Sequence, residues 1–213
     1  MTTFLYDRVA DSANPASLSA RYRSARFKLF LRVMRVSAES LILDVGGTEA
    51  TWKGTGFERN VTLFNRSFQG RHDDFKYVEG DACGMHMMTN RSFDIVYANS
   101  VIEHVGSWQR QWAFAQEVAR VGKAYWVQTP NKHFPIEPHV VFPLFQYMPP
   151  TWRQFVATRW RYSHFVRNHE DVRCMLSNLR LLTKRELTML FPDGRFIPER
   201  FIGLTKSLIT YKI

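Results

Sequence analysis

Two cysteines, Cys83 and Cys174, are all that this chain of 213 residues contains. They are too few for the disulfide framework of a small secreted domain, and they lack the paired spacing of a zinc site. No apolar run approaches the ~18 residues that a membrane-spanning helix needs. The opening MTTFLYDRVADSANP has no basic start followed by an apolar stretch. It does not read as a signal peptide, and a cytoplasmic location is the expectation. Internal repeats and low-complexity linkers are absent. Acids are in deficit, with 19 Asp and Glu against 29 Lys and Arg and a net charge of +10. That imbalance suits acidic partners such as nucleic acid, an anionic membrane surface or a charged substrate, and it is equally met by a basic solvated surface.

Apolar residues make up 45% of the chain and aromatics 15%, which excludes disorder and supplies one sizeable core for a single domain over 1–213. Residues 16–36 read as a helix. Phe27, Phe30, Leu31 and Met34 follow the helical repeat, and Arg21, Lys28, Arg32 and Arg35 share another face. Strand-like segments follow at Leu41–Val45, Val61–Phe64, Phe75–Val78, Phe93–Tyr97 and Ala124–Gln128. Their continuous apolar runs suit strands buried on both faces of a parallel sheet. A helix at Trp108–Val121 is expected to present Trp108, Trp112, Ala115 and Ala119 on one side. Thr183 and Glu186 form a capping box, with Leu182 and Leu187 placed to staple it, and the helix they start stops near Phe191-Pro192-Asp193-Gly194. Two more strands, Phe196–Phe201 and Ser207–Tyr211, close a doubly wound α/β sheet. Residues 129–182 exceed a simple crossover and read as a substrate-binding insertion at the carboxyl edge of the sheet.

Two segments carry the chemistry. In LILDVGGTEATW (Leu41–Trp52) an apolar run ends in an acid and a glycine turn follows at once. Glycine lets the backbone close tightly against a ligand, as at the start of nucleotide-binding α/β domains. In FDIVYANSVIEHVG (Phe93–Gly106) the pattern of buried strand and polar tip recurs.

From Leu41 to Ile213 the chain resembles class I S-adenosylmethionine-dependent methyltransferases, in particular the small-molecule type 11 branch. Asp44-Val45-Gly46-Gly47 matches the first motif, Phe64-Asn65 ends the second strand, and Gly80-Asp81-Ala82 follows the third. Asn99-Ser100-Val101-Ile102-Glu103-His104 follows the fourth. The resemblance implies a Rossmann-like, seven-stranded, mostly parallel sheet with helices on both faces and the last strand antiparallel. It implies S-adenosylmethionine as cofactor and S-adenosylhomocysteine as product. Gly46 and Gly47 would admit the methionine part, and Asp44 would hold its ammonium group. Asn65 stands where the family usually has an acid for the ribose hydroxyls. Asp81 would accept from the adenine amino group beside the Ala82 backbone, Asn99 would lie under the methionine moiety, and His104 would bond back towards the cofactor loop. The sequence departs from the family's glycine pattern at Thr48 and Ala50, where a weaker cofactor grip or a different loop path is the expectation.

Methyl transfer needs a nucleophile aligned with the methyl and sulfur, and a base where the nucleophile carries a proton. His139 is the preferred base, with Glu137 to orient it or to meet a substrate cation; His104 and His133 are the other imidazoles considered. The alternative for Glu137-Pro138-His139 is a loop pinned by its own hydrogen bonds. Tyr22, on an N-terminal helical lid (1–36), joins Phe134 and Trp152 as substrate-contact candidates. Trp152, Phe155, Trp160, Tyr162 and Phe165 interleave with Arg153, Arg159, Arg161 and Arg167, which suits an acidic or lipid-linked substrate or a core rimmed by snorkelling arginines. Some relatives hold a divalent metal with a Glu-x-x-Glu-His arrangement. Here Ser100 replaces the first glutamate, so no metal is expected. The functional expectation is methylation of oxygen or nitrogen on a small molecule, in a secondary-metabolite or surface-glycan pathway. The alternatives are an RNA methyltransferase, which the net charge suggests and the missing glutamate and lack of an RNA-binding module disfavour, and a non-catalytic scaffold. A homodimer is compatible with all three.

Overall fold

The computed structural model describes residues 17–137, 140–160 and 176–213. Chain order is α1 (Leu18–Val33), β1 (Ile42–Val45), α2 (Glu49–Trp52), β2 (Val61–Asn65), β3 (Lys76–Glu79), β4 (Phe93–Asn99), α3 (Trp108–Val121) and β5 (Gly122–Pro130). It continues with β6 (Ile136–Glu137), β7 (Phe142–Pro143), α4 (Pro150–Arg159), α5 (Lys184–Leu190), β8 (Arg195–Phe201) and β9 (Leu204–Lys212). Two compact units emerge: Ser37–Phe134 with Ser177–Ile213, and Met1–Val36 with Pro135–Leu176.

The first unit holds a seven-stranded sheet in the order β3-β2-β1-β4-β5-β9-β8. Strands β1 to β5 pair in parallel, and β9 runs antiparallel between β5 and β8. The buried runs Ile42–Val45 and Ile95–Ala98 are the continuous apolar strands that a parallel sheet covered on both faces requires.

Side chains alternate along each strand, so register assigns their faces. Leu43, Val45, Val96, Ala98 and Val127 join Phe114, Ala115, Val118 and Val121 of α3 and Leu187 and Leu190 of α5 in one core. Ile42, Asp44, Tyr97 and Trp126 alternate to the other face, where Trp52 of α2 packs edge-on against Tyr97 at 5.6 Å. Helices therefore flank the sheet on opposite sides.

The capping box forms as the sequence predicts: Thr183 Oγ1 accepts from Glu186 N, and Glu186 Oε2 accepts from Thr183 N. Helix α3 forms over the expected residues, and the side that it buries is offset from the row of Trp108, Trp112, Ala115 and Ala119. It buries Gln111, Phe114, Ala115, Val118 and Val121, and it exposes Trp112 and Ala119. The cause is Gln111, whose amide donates to the carbonyls of Ile102 and Arg180 and so turns a polar residue inward. The indole of Trp108 lies under the Arg180 guanidinium instead, 5.1 Å from the ring.

In the second unit, α1 starts at Ser17, whose hydroxyl accepts from Ala20 N, and it buries Phe30. Elsewhere in this unit β6 and β7 form a two-stranded ribbon, and Val140, Phe145 and Ala157 make a small core. Among the described residues no helix is long and apolar enough to cross a membrane.

Candidate active site at the carboxyl edge of the sheet

Register gathers the site. Asp44 pairs with Leu63 and Tyr97, and two residues further along these strands lie Asn65 and Asn99; Asn99 pairs with Gln128. With a period of two, Asp44, Asn65, Asn99 and Gln128 share one face at the carboxyl ends of four adjacent parallel strands. In open α/β sheets that edge, where strand order reverses at β1 and β4, is where ligands bind.

The turn after β1 is the tightest part. Gly46 has φ +74, and its N–H donates to Phe64 O at 2.7 Å. A Cβ at Gly46 would come within 2.5 Å of Val101, and one at Gly47 within 1.7 Å of the Asp44 carboxylate. Both positions need glycine, the first for its backbone and the second because the carboxylate lies directly against the loop. Thr48 has φ −128 in extended backbone and an exposed side chain, and Ala50 is the second residue of α2. Neither position requires glycine, so the departures from the family pattern leave the turn intact.

Asp44 is fully buried. Trp52 Nε1 donates to its Oδ2 at 2.6 Å, and its Oδ1 makes no hydrogen bond to any described residue. Burial pushes the Asp44 carboxyl up to about 7, against the lowering effect of the indole bond. A buried acceptor with one oxygen unserved favours either a proton or a cation beside it. This is the observation that fits the ammonium end of S-adenosylmethionine.

Asn65 Nδ2 donates to Gly47 O at 2.8 Å, tying β2 to the glycine loop and leaving the side-chain oxygen for a hydroxyl donor. Asp81 is half exposed, and both its oxygens accept from Arg110 Nη2 at 2.8 Å. Those bonds, with a further one from Cys83 N, hold its carboxyl below the usual range. Ala82 follows, packed against the core. At the tip of β4, Ser100 adopts φ +58, and its hydroxyl pairs with Gln128 Oε1 at 2.9 Å. His104 Nε2 is 4.0 Å from Glu103 Oε1; the Glu103 carboxylate is wholly buried and accepts from Thr129 Oγ1 at 2.9 Å. Phe134 is buried edge-on against Phe201 at 6.3 Å.

The remaining candidates belong to the second unit. Glu137 is buried, and its Oε2 accepts from Val140 N at 2.7 Å, which is the loop-pinning arrangement. Tyr22 is partly buried on α1, and Trp152 is exposed on α4. His139, Tyr162 and Phe165 lie outside the described residues. No group of three potential metal ligands occurs among the described residues.

Two partners went unread in the sequence. Trp52 serves Asp44 and Arg110 serves Asp81; the first had a signal, since it falls eight residues after Asp44 at the end of the turn. A third group lies beside the loop, where Tyr77 Oη donates to Glu49 Oε1 at 2.5 Å and His72 Nε2 approaches Glu49 Oε2 at 3.2 Å.

Comparison with known proteins follows the same line. A methyltransferase-domain model matches residues 53–124, from just after α2 to the start of β5. No curated protein matches the sequence significantly. Among solved structures, a protein from Anabaena variabilis, named as a candidate methyltransferase of an antibiotic biosynthesis pathway, aligns with TM-score 0.54 and 15% identity over 83% of this chain and 64% of its own. A candidate O-methyltransferase from Nostoc punctiforme aligns with TM-score 0.54 and 11% identity over 94% and 58%. A protein from Rhodobacter sphaeroides named as a candidate Zn-dependent alcohol dehydrogenase aligns with TM-score 0.56 and 12% identity over 88% and 87%. The chain thus spans about three fifths of the length of the first two. At such identities the likeness is one of fold, and the differing third name shows that fold alone does not set the chemistry. Together the domain match and the strand order show a methyltransferase domain on a Rossmann-like, seven-stranded fold, similar to that of class I S-adenosylmethionine-dependent methyltransferases.

Proposed function

We propose that the protein transfers a methyl group from S-adenosylmethionine to an oxygen or nitrogen of a small molecule. The observation that carries this reading is Asp44, a buried carboxylate with one oxygen unserved, lodged against a glycine turn at the switch point of the sheet. The cofactor would supply a methyl already activated on a sulfonium. The protein's part is then to bind, align and exclude water.

Asp44 would favour the ammonium group, Gly46 and Gly47 would allow close approach, and Asn99 would lie below the methionine part. Asn65 would offer its side-chain oxygen to a ribose hydroxyl while its amide holds Gly47. Asp81 and Ala82 would meet the adenine, with Arg110 fixing the carboxylate's orientation, and His104 would support the cofactor side. Acceptor-side candidates are Phe134 in the sheet unit and Tyr22, Glu137, His139 and Trp152 in the smaller one. His139 would take the proton, with Glu137 to orient it or to meet a substrate cation.

For the acceptor we favour an acidic or lipid-linked molecule of secondary-metabolite or surface-glycan biosynthesis, in the cytoplasm. The basic composition supports an acidic acceptor, and the name of the Anabaena variabilis relative supports a biosynthetic role. Thermal unfolding with and without S-adenosylmethionine tests the cofactor assignment. A ligand that binds only the folded state raises the melting temperature in proportion to the logarithm of its concentration. A concentration-dependent rise, absent in Gly47→Ala, is expected. An unchanged melting temperature at millimolar cofactor would leave a scaffold with the methyltransferase fold.

A further inference from the structure

Charge is divided unevenly between the two units. Residues 1–36 and 135–176 hold twelve Lys and Arg against five Asp and Glu, a net +7, while the larger sheet unit carries only +3. Helix α1 has five basic residues and no acid. Arg21, Lys28, Arg32 and Arg35 lie at helical spacing, are all exposed, and form no ion pair among the described residues.

Helix α4 of the same unit has its polarity inverted. Its inward side carries Val156 and Ala157 against Phe145 and Val140. Its outward stripe, at spacings of three and four, is Trp152, Phe155 and Arg159, with Arg159 lying over the Phe155 ring at 5.0 Å. Trp152 is 62% exposed and Phe155 55%. Just before it, Leu144 and Tyr147 are also more than half exposed, and Leu144 is held at φ +54, a backbone that bulky side chains avoid. Single exposed apolar residues need no explanation, but four of them within residues 144–155, in a unit that also carries unpaired cations, do.

We infer that this unit docks onto an anionic lipid surface, with Leu144, Tyr147, Trp152 and Phe155 entering the headgroup boundary and the α1 cations meeting acidic headgroups. Trp and Tyr are the side chains that settle at membrane interfaces, and unpaired Lys and Arg add electrostatic attraction to acidic lipid. Leu144 decides against a single-stranded nucleic acid as occupant. Aromatics could stack on bases, whereas an aliphatic side chain presented at a strained loop tip gains only from an apolar medium. The inference stands independently of methyl transfer.

The test is co-sedimentation of the full chain with vesicles of phosphatidylglycerol in phosphatidylcholine, against phosphatidylcholine alone. Binding to the anionic vesicles, weakened about tenfold or more by Lys28→Glu with Arg32→Glu, is expected from the charge on each basic residue near an acidic surface. Leu144→Ser with Phe155→Ser should weaken it as well, with far-UV circular dichroism confirming the fold of each variant. If the charge variant does not fold, the wild-type protein supplies the second readout: its vesicle binding should fall steeply with added salt. Equal binding to both vesicle types, none to either, or retention by a single-stranded RNA homopolymer with no vesicle binding would each overturn the proposal. S-adenosylhomocysteine titration of the same variants separates this outcome from failure of the cofactor site.

Discussion

The two ends of the proposed cofactor edge are built on different physics. At β1, Asp44 is fully buried, has one hydrogen bond, and lies so close to Gly47 that no other residue fits. After β3, Asp81 is half exposed and held by two bonds from Arg110. A buried carboxylate that lacks partners costs folding energy until something cationic arrives. A solvated ion pair costs and contributes little, because water screens it. In the proposed site the first end would sense a ligand's charge, and the second would fix the direction of an acceptor oxygen.

The largest effect of a single substitution should come from Gly47→Ala. A Cβ 1.7 Å from the Asp44 carboxylate cannot be absorbed without moving the loop, so loss of about 3 kcal/mol in a urea melt is expected, together with loss of cofactor binding. Stability within 1 kcal/mol of wild type (roughly the spread of a mild substitution) would show the turn to be pliable.

The pH dependence of stability sharpens the contrast. Asp44 has its carboxyl raised from 3.8 to about 7 by burial, so between these values the folded state keeps a proton the unfolded chain has lost. Stability should fall as pH rises through this window, by about 4 kcal/mol in total at the extreme. Asp81 works in the opposite direction and at lower pH. Its lowered carboxyl adds stability that is present above about pH 4 and lost as pH falls through the folded value. Denaturant melts of Asp44→Asn from pH 4 to 8 should lose the downward slope; an unchanged slope would place its origin elsewhere.

Trp52→Phe comes next. It removes the indole donor and leaves the carboxylate buried without a partner, for a cost of about 1–3 kcal/mol at pH 8. At pH 5, where Asp44 carries its proton, the cost should shrink; an equal cost at both would make Trp52 a packing residue only. The smallest effect belongs to Arg110→Ala, expected to change stability by no more than about 1 kcal/mol while weakening cofactor binding. Stability lost without any change in affinity would remove Asp81 from the site.

Much of the sheet was legible because parallel strands buried on both faces leave continuous apolar runs, as at Ile42–Val45 and Ile95–Ala98. The Thr183 and Glu186 box was legible because its chemistry is local. Contacts made by distant residues were not. Arg110 lies 29 residues from Asp81, and no spacing announces that pair. Which side of helix α3 faces inward was not legible either, because Gln111 is drawn inward by two carbonyls from other segments. Glu137, its place in a buried loop foreseeable from the pinned-loop alternative, holds Val140 N. At Thr48 the backbone is extended, a conformation open to any residue, which the glycine pattern alone does not announce.

The most direct test of the account is calorimetric titration with S-adenosylhomocysteine at pH 6.5, repeated in buffers of different ionisation enthalpy. A cation settling beside Asp44 should expel its proton, so the wild-type heat should vary with buffer and that variation should vanish in Asp44→Asn. Saturable binding with the same heat in every buffer, undiminished in Asp44→Asn, would contradict the claim that this carboxylate is the seat of the cofactor.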